Sequence, residues 1–159
     1  MIGFLGRFDY SADPKGRVNI PAKFRKCLAP EADETFVITL APNGCLRAFP
    51  MNEWVNEEKR MNSIPQTLGN IRLNRQIYDA TADSRCDAQG RITLNKTQLE
   101  ISGIHDDVVL VGSGRFVELW DAQRYAAYLG EGQQSDFDAL YEKSIESSLG
   151  GQAGSGRQQ

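Results

Sequence analysis

At 159 residues, 40% hydrophobic and 25% charged, the chain has the makeup of a soluble globular protein, with room for one ordinary domain or two very small ones. No apolar run approaches the roughly 20 residues that cross a bilayer, and no basic segment leads into an apolar one at the start, so neither an anchor nor a secretory leader is expected. The net charge of −3 argues against a nucleic-acid partner only on average, because binding depends on where the charges lie.

Their distribution is uneven. Up to Ala29 the basic residues Arg7, Lys15, Arg17, Lys23, Arg25 and Lys26 face only Asp9 and Asp13, whereas beyond Gly130 five acids outnumber Lys143 and Arg157. The first strand leads into the turn Asp13-Pro-Lys-Gly16. There Asp13 caps its own backbone, Pro14 suits the second turn position and Gly16 supplies the left-handed residue, a pattern that predicts a hairpin. Val18 and Ile20 alternate with Arg17 and Asn19, as in a half-buried strand. Pro21 opens a short helix, Ala22–Ala29, whose outer face Lys23, Arg25 and Lys26 coat. Thr35–Ala41 and Cys45–Phe49 flank the turn signal Pro42-Asn43-Gly44. Helical patterns follow at Asn52–Asn62 and Leu68–Tyr78, with Pro65 between them.

The same order then begins again. Asp87-Ala-Gln-Gly-Arg-Ile-Thr-Leu94 matches Asp13-Pro-Lys-Gly-Arg-Val-Asn-Ile20, Val108–Gly112 matches Phe36–Ala41, and Trp120-Asp-Ala-Gln-Arg-Tyr125 matches Phe49-Pro-Met-Asn-Glu-Trp54. A hairpin is expected around Ser113-Gly114, between Val108–Gly112 and Arg115–Trp120. Matched segments in the same order mark a duplication, which organises the whole reading. The expected organisation is a first repeat over 1–55, a helical connector over 56–80, a second repeat over 81–130, an amphipathic helix over 131–149 and a disordered tail over 150–159. A capping box at Ser135–Asp138 introduces that last helix, with Phe137, Leu140, Tyr141 and Ile145 on one face. The three cysteines, Cys27, Cys45 and Cys86, are scattered and form no C-x-x-C, which predicts reduced thiols and a cytoplasmic setting.

The paired D-x-x-G-R turns, Ile20-Pro-Ala-Lys-Phe-Arg25, Gly44-Cys-Leu46 with Phe49-Pro50 and Glu53-Trp54, and Val108-Val-Leu-Val-Gly112 with Trp120-Asp121 together resemble the MraZ family. The resemblance covers about Phe4 to Leu129. It implies an α+β, β-rich double-split β-barrel of the AbrB/SpoVT type, formed by the two repeats with peripheral helices. It also implies a homo-oligomeric ring that binds double-stranded DNA at repeats upstream of division and cell-wall genes, and so a regulator acting in the cytoplasm at the nucleoid. The family's D-x-x-x-R pattern falls on Asp13 with Arg17 and on Asp87 with Arg91, implying DNA contact by Arg17 and Arg91, with Asp13, Gly16, Asp87 and Gly90 supporting the turns. Lys15 at the first turn tip is a phosphate ligand by position. The second repeat departs from the first: Gln89 faces Lys15, Asn95 stands at the position of Pro21, and Gln98 occupies a place where an aliphatic is expected.

Other classes find less support. His105 is the single histidine and sits in a loop, no phosphate-binding or dinucleotide motif occurs, and the adjacent Asp106 and Asp107 read as solvated, so neither an enzyme nor a cofactor or metal site is expected. Asp13–Arg17 and Asp87–Arg91 also fit simple turn-stabilising ion pairs. The competing function is an AbrB-like protein-interaction scaffold that binds no DNA.

Overall fold

The computed structural model describes residues 3–130 and 134–154. Among the described residues eight strands and six α-helices follow in the order β1 (Phe4–Ser11), β2 (Arg17–Asn19), α1 (Ala22–Arg25), β3 (Thr35–Leu40), β4 (Leu46–Pro50), α2 (Met51–Ser63), α3 (Leu68–Ala80), β5 (Ala82–Arg85), β6 (Arg91–Thr93), α4 (Lys96–Ser102), β7 (Asp107–Gly114), β8 (Val117–Asp121), α5 (Ala122–Gly130) and α6 (Gln134–Gly154). The chain divides into two compact units, Met1–Ala122 and Gln123–Gln159.

In the first unit the strands form a six-stranded antiparallel sheet, ordered β1-β7-β8-β4-β3-β5, and a separate ribbon of β2 with β6. The repeats are interleaved. The β3–β4 hairpin of the first takes its edge strand, β5, from the second, and the β7–β8 hairpin of the second takes β1 from the first. This exchange gives the α+β double-split architecture within a single chain. Two positions lie opposite their own repeat equivalents: Arg47 pairs with Glu118 at the centre of the sheet, and Val18 with Ile92 at the centre of the ribbon. A pseudo-two-fold axis passes through both pairs. At the sheet end of that axis the Arg47 Nε donates to Glu118 Oε2 at 3.0 Å, so duplication has allowed opposite charges where two identical chains would oppose like ones.

The alternation read in the sequence places Val18, Ile20, Ile92 and Leu94 under the ribbon. They join Phe4, Phe36, Ile38, Leu46, Leu110 and Leu119 of the sheet in one core. Phe24 of α1 completes it, with its ring edge-on to Phe4 and Phe8 at 5.4 and 5.0 Å. On the other face of the sheet a smaller cluster, Val37, Phe49, Trp54 and Met61, seats α2. Both faces of β3 are therefore covered, which explains why Phe36, Val37 and Ile38 are consecutively buried.

Three sequence expectations are corrected. The turns at Asp13–Gly16 and Asp87–Gly90 form, but their flanking strands do not make hairpins: beyond Asp13 N–H to the Arg17 carbonyl, β1 leaves to pair with β7 and β2 with β6. Pairing across the axis buries Val18 against Ile92, which a local hairpin would not do. The turn between β7 and β8 falls at Arg115–Phe116 rather than Ser113-Gly114, because pairing of Phe4 with Gly114 and Leu5 with Ser113 extends β7 by two residues. Helix α1 is also shorter than read, ending at Arg25.

In the second unit α6 starts at Gln134, ahead of Ser135, and its Phe137 and Tyr141 rings stack at 6.0 Å. Residues 155–159, the end of the expected tail, lie outside the described residues, as does the side chain of Ser135 at the expected capping box.

Candidate nucleic-acid interface

Each turn is built by its aspartate. Asp13 Oδ1 accepts from the backbone N–H of Lys15 at 3.0 Å and of Arg17 at 2.8 Å, and Asp87 Oδ1 accepts from Gln89 and Arg91 N–H, both at 2.9 Å. The second carboxylate oxygen holds the arginine fork: Asp87 Oδ2 accepts from Arg91 Nε at 2.9 Å, and Asp13 Oδ2 accepts from Arg17 Nε in the same way. The backbone N–H of the arginine, more than its charge, holds each carboxyl below the usual carboxylate range, against the opposing effect of burial. With Nε committed, the planar terminal nitrogens remain to bond outward, in the geometry that suits a bidentate acceptor.

The turns are locked across the axis. Leu94 N–H donates to the Gly16 carbonyl at 2.8 Å, and Ile20 N–H to the Gly90 carbonyl at 2.9 Å. Gly16 and Gly90 have φ of +78° and +75°, and a Cβ on Gly16 would stand 2.5 Å from the Leu94 carbonyl oxygen. Glycine is required there by both backbone sign and close approach.

The ribbon brings the predicted residues together. Arg17 lies opposite Thr93, and Arg91 opposite Asn19, while Val18 and Ile92 point into the core. Since side chains alternate along a strand and partners share a face, Arg17, Asn19, Arg91 and Thr93 all stand on the outer face. Lys15 is exposed at the tip of its turn, matched by Gln89 on the other.

Three residues were missed in the sequence. Asn19 and Thr93 were legible as outward-facing from the alternation, but their pairing with the arginines depends on a ribbon that joins positions more than seventy residues apart. Arg25, read as coating a helix, instead donates from Nε to the Ile20 carbonyl at 3.2 Å, and its guanidinium lies against Gly90 of the second turn. Its equivalent, Leu99, contacts the first turn at Gly16. His105 is exposed, with Nδ1 at 3.0 Å from the Gly103 carbonyl, which raises its pKa above the ordinary value, with Asp106 adding to the effect.

The sequence profile of the MraZ protein family, antitoxin-like by its description, matches this chain twice, over residues 4–72 and 77–147. The chain belongs to the MraZ family. The double match reports the same duplication that the topology interleaves. Proteins named "Transcriptional regulator MraZ" from Limosilactobacillus fermentum and Syntrophomonas wolfei are 37% and 35% identical to the MraZ-family chain over 86% and 90% of its length, covering 93% and 97% of their own. The protein of that name from Nitratidesulfovibrio vulgaris is 31% identical over 92% of the chain and 96% of its own length. Among the described residues of the MraZ-family chain no helix is long and apolar enough to cross a membrane.

Proposed function

We propose that this chain is a sequence-specific, DNA-binding transcriptional regulator that works at the nucleoid as a homo-oligomeric ring on tandem promoter repeats of the division and cell-wall gene cluster. The observation that carries the reading is the placement of two arginine forks, each pinned at Nε by an aspartate, on one outer face of a two-stranded ribbon. The major groove of B-DNA admits a two-stranded β-ribbon, and an arginine fork there meets guanine O6 and N7. Holding the fork before DNA arrives lowers the ordering cost of the contact. Lys15 and Arg25 flank the turns as phosphate ligands, giving affinity without sequence. The regulators to which the chain is similar by name support the same reading.

A single ribbon covers few base pairs, so strong binding needs several at once. Protomers closed into a ring present identical ribbons at fixed spacing, and linkage of that kind raises apparent affinity by roughly 10²–10⁴. The test is a salt titration of the full chain on DNA from its own operon promoter, beside an unrelated duplex, with Arg17→Ala and Arg91→Ala. Salt-sensitive binding that prefers the promoter and drops at least about tenfold with each substitution is expected. An assembled, folded protein that binds no DNA at low salt overturns the reading in favour of an interaction scaffold.

A further inference from the structure

Only four side chains project from the outer face of the ribbon, and the pseudo-two-fold axis through Val18 and Ile92 relates them in pairs: Arg17 to Arg91, and Asn19 to Thr93. The arginines are equivalent in chemistry and in tethering. Their cross-strand neighbours are not, since Arg91 stands beside Asn19 and Arg17 beside Thr93. We infer that Asn19 and Thr93 read bases, so that the two halves of the ribbon specify different base pairs and Asn19 selects an A·T pair next to the contact made by Arg91. This inference rests on the DNA-contact reading above.

Position comes first. Directly opposed side chains on a ribbon have Cβ atoms about 4.5–5.5 Å apart, comparable with the roughly 3.4 Å rise of one base-pair step. A residue opposite a guanine-reading arginine therefore meets the same or the adjacent pair. Availability comes second. Asn19 and Thr93 are exposed, and among the described residues neither side chain has a hydrogen-bond partner; Thr93 is tied only through its backbone N–H, donated to Ser84 Oγ at 2.9 Å. Propensity comes third, because asparagine is depleted in strands while threonine is enriched. A three-residue strand that keeps an unbonded asparagine on its outer face gains nothing in folding from it. Chemistry then distinguishes the two. An asparagine amide offers one donor and one acceptor in the spacing of adenine N6 and N7, whereas threonine offers a single hydroxyl and a methyl suited to the thymine methyl. The other differences between the halves, Lys15 against Gln89 and Arg25 against Leu99, lie at the turns, where phosphate contacts carry no sequence.

The test is selection from randomised duplexes by the full-length protein, followed by anisotropy titrations on duplexes changed one base pair at a time. The wild type is expected to select a site without two-fold symmetry. Asn19→Ala should lose about tenfold discrimination at a single A·T position while keeping its salt dependence and its preferences elsewhere. Asn19→Asp should move that one preference towards C·G, by accepting from cytosine N4. Asn19→Thr, which makes the outer face equivalent in both halves, should bind its selected site equally in either direction. Since no hydrogen bond holds the Asn19 side chain among the described residues, the urea midpoints of Asn19→Ala and Asn19→Asp should stay close to that of the wild type, and that of Asn19→Thr should be no lower. Unchanged base preferences in Asn19→Ala and Asn19→Asp overturn the inference while leaving DNA binding intact. A wild type that selects no sequence, or binding indifferent to Arg17→Ala and Arg91→Ala, overturns the DNA-contact reading itself.

Discussion

The first and second repeats solve the turn identically and the following helix differently. Asp13 and Asp87 make the same bonds to the same backbone positions, and both glycines share one conformation. One turn of helix later, equivalent positions hold Phe24 and Gln98, and both side chains are fully buried. Phe24 packs among aromatic rings of β1. Gln98 donates from Nε2 to the carbonyls of Ile38 and Ala80 at 3.1 and 3.0 Å, while its Oε1 accepts from Asn95 N–H and its own N–H bonds Asn95 Oδ1. The difference follows from what each helix meets. Helix α4 packs where α3 ends at Ala80, a helix terminus whose carbonyls need donors, whereas Phe24 of α1 meets the rings of Phe4 and Phe8. Asn95, standing where the first repeat has Pro21, closes a capping box with that glutamine. Geometry that serves the outer face has been kept in both halves; geometry that serves the interior has diverged with the surroundings.

The sharpest way to break this comparison is to make the second helix like the first. Gln98→Leu removes the box and leaves two buried carbonyls short of a donor, so urea unfolding should show a loss of about 3 kcal/mol; a loss under about 1 kcal/mol would mean that packing alone decides the site. Next come the glycines. Gly16→Ala and Gly90→Ala both strain a left-handed residue by roughly 1–2 kcal/mol. The first should cost more, because its Cβ meets the Leu94 carbonyl, while the second meets the movable guanidinium of Arg25. Equal unfolding midpoints for the two would show that the backbone there shifts freely.

A smaller effect tests the tether. Asp13→Asn and Asp87→Asn free the forks and should weaken promoter binding several-fold, equally at the two turns. Carbon-13 titration of the carboxyls follows from the same bonds: both should titrate below the ordinary value of 3.8. Since the folded pKa is depressed, the contribution of each carboxylate to the turn is present above 3.8 and fades as pH falls through the folded value. Arg17→Ala should return only part of the Asp13 shift, because the backbone N–H, its largest cause, stays in place. The smallest change is at the tip, where Lys15→Gln should reduce the salt slope of binding by about one and Gln89→Lys should raise it by as much.

Much of the candidate site's geometry was legible in the residues. Asp, Gly and Arg at fixed offsets report a turn because the carboxylate, the left-handed residue and the fork act within five positions, and alternation of Val18 and Ile20 with Arg17 and Asn19 reports an exposed face. The duplication was legible for the same reason: each repeat carries its own local signals. By itself, then, the sequence determined the turns, the repeat, the inward and outward faces and the family. Tertiary structure alone decided which strands pair. The exchange of β1 and β5 between repeats, the meeting of Arg91 with Asn19, the placing of Arg25 on Gly90 and the use of Gln98 all join residues far apart in the chain. Such contacts are chosen by how much apolar surface the whole fold buries and by which buried carbonyls need donors, and no local pattern encodes either.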